Sequence, residues 1–232
     1  MKNLERLKHL FIVLIISLLA IDASAEYNHE LGVTGGVSFY LGDANYKTPF
    51  WKPRMAVGGM YRYNIDTRWA IKVSAIYAQV EGDTRDFGYI LPGVEYATFK
   101  RSYVDASLSI EFNFFDIGEA KYAIGQYKAT PYIMVGVGLT AYSDLLNAKN
   151  MYHVNIPVGI GGKWKINKRF TLGLEWTIHK LFIDDFDVTS SSNIILDNPY
   201  KTKKNGFFDT DWYSICNLYL TVNLFDTKRF CR

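Results

Sequence analysis

Two histidines lie past the opening thirty residues, His153 and His179, and the second stands close to partners that could activate it. His179 with Asp184 or Asp185 and one of Ser190, Ser191 or Ser192 has the residue types of a nucleophilic set: a hydroxyl, an imidazole base and a carboxylate to orient the base. No local motif imposes that geometry, because any polar loop offers the same side chains. The competing reading is a partly buried histidine in a polar interior. The spacing of His, Cys and Asp matches no metal site. The glycine pairs 35–36, 58–59 and 161–162 lie within strand-like runs, where glycine eases curvature or close packing rather than cradling phosphate. The chain is therefore expected to carry no catalytic residue, no cofactor and no metal.

A second set of reactive types has a clearer pattern. Arg62, Lys72, Asp105, Glu111, Lys163, Lys165, Glu175 and His179 fall on the alternate positions of extended runs, opposite the apolar faces. A strand turns successive side chains to opposite faces, so these charges share one side of whatever wall the runs build. Charges of both signs on one side would pair as a buried network, because a buried charge without a partner is strongly destabilising.

The elements that must position them are eight alternating runs, roughly 30–40, 54–64, 69–81, 99–115, 129–142, 152–166, 170–182 and 212–225. Each reaches the 9–11 residues that a tilted strand needs to cross a bilayer. One face of each is apolar, as in Val104, Ala106, Leu108, Ile110, Phe112 and Phe114, and the other is mostly small or polar. Aromatics make up 16% of the chain and gather at strand ends, among them Phe39, Tyr40, Tyr61, Tyr63, Trp69, Tyr77, Trp164, Phe170 and Trp212, as interface girdles do. The fold expected is all-β: an eight-stranded antiparallel up-and-down transmembrane β-barrel. With eight strands the lumen is filled by side chains and does not conduct. A soluble sandwich or lipocalin-like barrel would show the same alternation with its faces inverted. Bilayer-sized runs and the small, glycine-rich opposite faces favour the membrane.

The N-terminus supports export. Lys2, Arg6 and Lys8 precede an apolar run from Leu10 to Ile21, followed by Ala23-Ser24-Ala25. That order reads as a signal peptide over 1–25, with the barrel and a short basic tail over 26–232. The apolar run is roughly 12 residues, against about 20 for a spanning helix. Cys216 in the last strand and Cys231 near the end would lie roughly 30 Å apart at about 3.3 Å per residue, too far for a bridge. Cys231 is either a free thiol or a cross-link to a partner. The net charge of +3 is too slight to imply nucleic acid, and no small-molecule substrate is expected.

Connections are expected to be short after runs two and six, and long after one, three, five and seven (41–53, 82–98, 143–151 and 183–211). Barrels place short turns in the periplasm and long loops outside. The 116–128 connection breaks that rule, being long on the short-turn side, and carries Ile117, Tyr122, Ile124 and Tyr127. It is either a periplasmic contact surface or a frayed strand end.

Ser38-Phe39-Tyr40-Leu41-Gly42-Asp43, then Tyr61-Arg62-Tyr63-Asn64 and Arg68-Trp69-Ala70, resemble the small outer-membrane barrels of Bacteroidota, the PorG-like barrels of the type IX secretion system. The likeness runs from about Glu30 to the last strand. It implies a non-enzymatic role, tethering the periplasmic PorK–PorN ring to the outer membrane. It also implies a partner surface at the turns 64–68, 116–128 and 167–169 and the tail 226–232, including Lys228, Arg229 and Phe230. The alternatives are a surface barrel acting as adhesin or envelope-integrity protein through 82–98 and 183–211, and a lipid-modifying barrel enzyme.

Overall fold

Alternation sorts residues onto two faces but leaves open which face meets water. The computed structural model resolves that sign. It describes residues 29–41, 50–87, 98–116, 127–144, 149–167, 169–182, 186 and 211–224. Eight strands form one closed antiparallel barrel: β1 (His29–Leu41), β2 (Arg54–Asn64), β3 (Trp69–Asp83), β4 (Thr98–Asn113), β5 (Ala129–Asp144), β6 (Lys149–Lys165), β7 (Phe170–Leu181) and β8 (Trp212–Asn223). Each pairs with its chain neighbours, and β1 closes on β8 from Glu30 opposite Asn223 to Leu41 opposite Trp212.

The exposed face is the apolar one. Val33, Val73, Leu108, Val135, Val137, Val158, Ile160 and Leu218 all stand out from the wall, while Arg62, Lys72, Asp105 and Glu111 are at most 1% exposed. A soluble barrel would have these reversed. The outward belt is flanked towards one end by Trp69, Phe114, Tyr127, Trp164 and Phe170, and towards the other by Tyr77 and Tyr152. An apolar band with aromatic borders around a polar interior is the surface of an outer-membrane barrel, which crosses the bilayer with strands. The protein is thus an eight-stranded outer-membrane β-barrel. No helix among the described residues is long and apolar enough to cross a membrane.

Two tight turns use one device. Asp66 Oδ1 accepts the backbone N–H groups of Arg68 and Trp69, both at 2.7 Å. Asn167 Oδ1 accepts those of Arg169 and Phe170, both at 2.8 Å. A short side-chain acceptor of this kind mimics a backbone turn and reverses the chain within four residues. These turns, the start of β1, the end of β4, the start of β5 and the end of β8 share one end of the barrel, here termed the turn end.

Several expectations need correction. Only residues 145–148 separate β5 from β6, so the connection expected over 143–151 is largely strand. The ladder simply continues past the belt, Ser143 opposite Asn150 and Asp144 opposite Lys149, because backbone pairing does not depend on lipid. Tyr40 is no girdle residue. It points inward, fully buried, while its neighbour Phe39 lies on the outer wall, covered edge-on by Phe50 at 5.3 Å. The inner face is mostly small or polar, as expected, but it also carries the buried rings of Tyr40, Phe99, Tyr103, Tyr132, Tyr142, Tyr213 and Tyr219. Lys165 sits half-buried at the barrel mouth instead of within the interior.

Candidate functional site

The interior is built in layers, each drawn from several strands. Nearest the turn end, the β2–β3 register sets Arg62 directly opposite Lys72, a repulsive pair on its own. Carboxylates from three other strands resolve it. Glu111 of β4 accepts from Arg62 Nε at 2.8 Å and from Lys163 Nζ of β6 at 2.6 Å, and lies 3.5 Å from Lys72 Nζ. Glu30 of β1 takes Arg62 Nη1 at 2.9 Å, Asn64 Nδ2 at 2.8 Å and the Thr221 hydroxyl at 2.8 Å. Glu175 of β7 is bound by Lys72 and by the Tyr132 hydroxyl, the latter at 2.6 Å. Three cations and three carboxylates make this layer formally neutral. Two tyrosines floor it. The Tyr219 ring centroid lies 5.0 Å from the Arg62 guanidinium, and that of Tyr132 lies 4.6 Å from Lys163 Nζ. Their rings fit because Gly173 and Gly161 stand opposite them on the neighbouring strands; a Cβ at Gly173 would lie 2.2 Å from the Tyr219 ring.

The middle layer gathers Asp105, Asn155, His179 and Tyr213. Asp105 Oδ2 accepts from Asn155 Nδ2 at 2.6 Å and from the Tyr213 hydroxyl at 2.7 Å, and lies 3.6 Å from His179 Nδ1. His179 Nε2 faces the Thr177 hydroxyl at 3.0 Å, and its ring stacks on Tyr213 at 4.6 Å. His179 is 1% exposed, so it is a wall residue of the interior and has no open face toward an outer-rim nucleophile. Asp184, Asp185 and Ser190 to Ser192 lie outside the described residues.

The third layer closes the opposite, loop end. Tyr40, Phe99, Tyr103, Tyr142, Tyr213 and Phe186 form an apolar cluster with Ile76, Val80, Leu181 and Ile215. Phe186 is fully buried although it belongs to the long β7–β8 connection. Its ring lies 5.3 Å from Tyr142 and 5.5 Å from Tyr103. Asp211, just before β8, accepts its backbone N–H at 3.0 Å and the Tyr40 hydroxyl at 2.7 Å. Arg101 lies over Tyr142 at 4.2 Å. Charge pairing below and aromatic packing above thus occlude the lumen.

Of the eight charges named from the sequence, all but Lys165 line the interior. Arg62, Lys72, Glu111, Lys163 and Glu175 meet in the lower layer, and Asp105 with His179 in the middle one. Sequence reasoning missed Glu30, Asn155, Tyr132, Tyr213, Tyr219 and Phe186. Glu30 was within reach, since it shares the inner parity of β1 and pairs with Arg62. The three tyrosines hold inner-parity positions beside Ile133, Trp212 and Leu218. Phe186 carries no periodic signal. The turn 64–68 and residues 116, 127, 128, 167 and 169 of the expected partner surface are described, but of the seven side chains singled out there only Tyr127 is; it is 57% exposed, with its ring 5.0 Å from exposed Phe115. Ile117, Tyr122, Ile124, Lys228, Arg229 and Phe230 lie outside the described residues. Among the described residues no group of three His, Cys, Asp or Glu could hold a metal.

The family model described as "Domain of unknown function (DUF6089)" matches residues 8–232. The chain belongs to the DUF6089 family. A search of curated proteins returned no match. Among solved structures, this DUF6089 barrel is similar to Neisserial surface protein A, with a TM-score of 0.49 and 9% identity over 84% of this chain and 96% of that one. It is also similar to Ail, the attachment invasion locus protein of Yersinia pestis, in complex with the heparin analogue sucrose octasulfate (TM-score 0.44, 12% identity, 85% and 99% covered). OprG from Pseudomonas aeruginosa aligns at a TM-score of 0.37 and 11% identity, over 87% and 96%.

Proposed function

We propose that this DUF6089 barrel is a non-enzymatic outer-membrane component of the type IX protein secretion machinery, tethering the periplasmic PorK–PorN ring to the outer membrane. The observation that carries the reading is the filled lumen together with an unusual turn end. A barrel that neither conducts nor exposes reactive groups acts through its ends. Two of the turn-end connections, 65–68 and 166–169, are minimal, yet the third spans 114–128. Its base exposes Phe114, Phe115 and Tyr127 beside the Arg68–Asp116 ion pair at 2.9 Å. Exposed aromatics next to a fixed ion pair suit a protein contact. A clean deletion should abolish export of type IX cargo, and the tagged barrel should co-purify with the ring through its turn end. Normal export in the deletion strain rules the tether out.

A second reading, a surface barrel acting as adhesin or envelope-integrity protein, has its own support. The 182–211 connection is the longest, and Phe186 fixes its base to the barrel. Loss of attachment on deletion, with export intact, would select this reading.

A further inference from the structure

Two of the interior layers bridge the lumen from wall to wall. Lys72 of β3 reaches Glu175 of β7, and Tyr213 of β8 reaches Asp105 of β4 at 2.7 Å; in both pairs the strands stand on opposite sides of the ring. Between these bridges lies a waist. Glu111 and Asp105 are roughly 20 Å apart along β4, or about 15 Å along the axis of a barrel tilted in the usual way. The inner positions between them are Ser109 and Ser107, which face Gly136 and Gly138 across the β4–β5 ladder. Serine and glycine fill little of that height. Four buried oxygens of this region have no hydrogen-bond partner among the described residues: Thr34 Oγ1, Ser109 Oγ, Asn217 Oδ1 and Asp105 Oδ1. Their residues are at most 3% exposed. The neighbouring serines differ, because Ser74 and Ser107 bond each other at 2.9 Å. Two of the four oxygens are fixed inside the waist by the glycines opposite them. Asn217 Oδ1 lies 2.8 Å from where a Cβ of Gly36 would stand, and Ser109 Oγ 2.7 Å from that of Gly136. Both therefore hang over the inner faces of glycines.

We propose that the waist binds an enclosed cluster of ordered water, hydrogen-bonded to Thr34, Ser109, Asn217 and Asp105. Leaving a buried polar atom unbonded is costly, and native interiors pair such atoms with protein or with ordered water. The chemistry of the four oxygens selects the occupant. Asn217 Oδ1 and the Asp105 carboxylate accept only, so the occupant must donate, which excludes an anion. The two hydroxyls can donate or accept, so it must also be able to accept. Among the described residues no group of three His, Cys, Asp or Glu could hold a metal. Water donates and accepts, and an enclosed polar space is where it is retained. The bridges above and below hold the cluster in place, so it belongs to the plug and does not depend on which partner docks at either end.

The test uses the full refolded barrel in detergent micelles and the magnetic relaxation dispersion of water oxygen, which reports only water held longer than the particle takes to tumble. Wild type should show a dispersion step. Asn217→Leu with Ser109→Ala removes two of the four anchors and should lower that step by the amplitude of at least one water, while the barrel keeps its folded mobility on gels. Thr34→Val supplies an independent readout, because it keeps the side-chain shape and deletes one hydroxyl. A hydrated hydroxyl is a lost hydrogen bond, so the urea midpoint in lipid vesicles should fall; a dry, unbonded hydroxyl is a relieved penalty, and the midpoint would rise. No step in wild type, a step unchanged in the double variant, or a raised midpoint in Thr34→Val would overturn the proposal. So would a step that appears only on adding sodium or potassium, which would assign the waist to a cation. Should the double variant fail to fold, the wild-type step and the direction of the Thr34→Val shift still decide.

Discussion

Glu111 touches all three cations of the lower layer, so it balances more charge than any other interior residue. Glu111→Ala should cost about 3–5 kcal/mol, because it strands buried cations rather than merely deleting a contact. Urea unfolding in lipid vesicles measures this. Removing Lys163 as well restores two cations to two carboxylates, and the double variant Glu111→Ala/Lys163→Met should be more stable than Glu111→Ala alone. An equal or larger loss in the double variant would mean that charge balance is not what Glu111 supplies. Space is equally tight at the tyrosine floor. Gly173→Val should displace the Tyr219 ring and destabilise by about 1–3 kcal/mol in the same assay, whereas Gly162→Val, facing open space, should leave unfolding nearly unchanged. At this scale the sequence showed which charges share a side, since parity alone sets that. It did not show which charge meets which. That depends on the stagger between strands, which carries Glu30 to Arg62 and Thr221 at once. The lumen tyrosines were illegible for another reason. A tyrosine at an inner position reads as a girdle residue unless the partner strand is known to offer a glycine opposite.

Strands and connections tell a complementary story. Run boundaries followed from periodicity to within a few residues for all eight strands, because every outward position must be apolar while it crosses lipid. Periodicity fails once a strand leaves the belt. Ser143, Asp144, Lys149 and Asn150 read as loop residues, yet they continue the β5–β6 ladder. Tyr40 was misplaced for a related reason. Phe39 and Tyr40 are adjacent, so only one can face lipid, and the other caps the lumen. The β7–β8 connection is the least legible element. Its single described anchor, Phe186, works by filling a ring of aromatics supplied by β1, β4, β5 and β8. Phe186→Ala should cost about 3–5 kcal/mol if the cluster cannot collapse around the gap. It should also make the 187–210 segment cleavable at lower protease concentration while the strands remain intact. Cleavage at the wild-type rate would show that Phe186 does not hold the connection.

As a whole the described barrel is a membrane plug whose lower layer of charges is paired from within. Reconstituted in planar bilayers, it should give no stepwise ionic current at either polarity; resolved channel steps would contradict the occlusion by Phe186 and by the Arg62 layer. The seam between β1 and β8 has a consequence for biogenesis. Glu30 needs Thr221, a residue near the opposite end of the chain, to complete its hydrogen bonds. Until β8 arrives, β1 is an unpaired edge and the wall is an open sheet. In that sheet Arg62, Lys72 and Lys163 would confront lipid or water without Glu30 and Glu111 fixed around them. Partial assembly therefore gains little, and the last strand to be exported is the one that makes the others worth forming. A chain truncated before residue 212 leaves β1 and β7 as open edges and should fail to acquire protease resistance in lipid vesicles, whereas the full chain should acquire it.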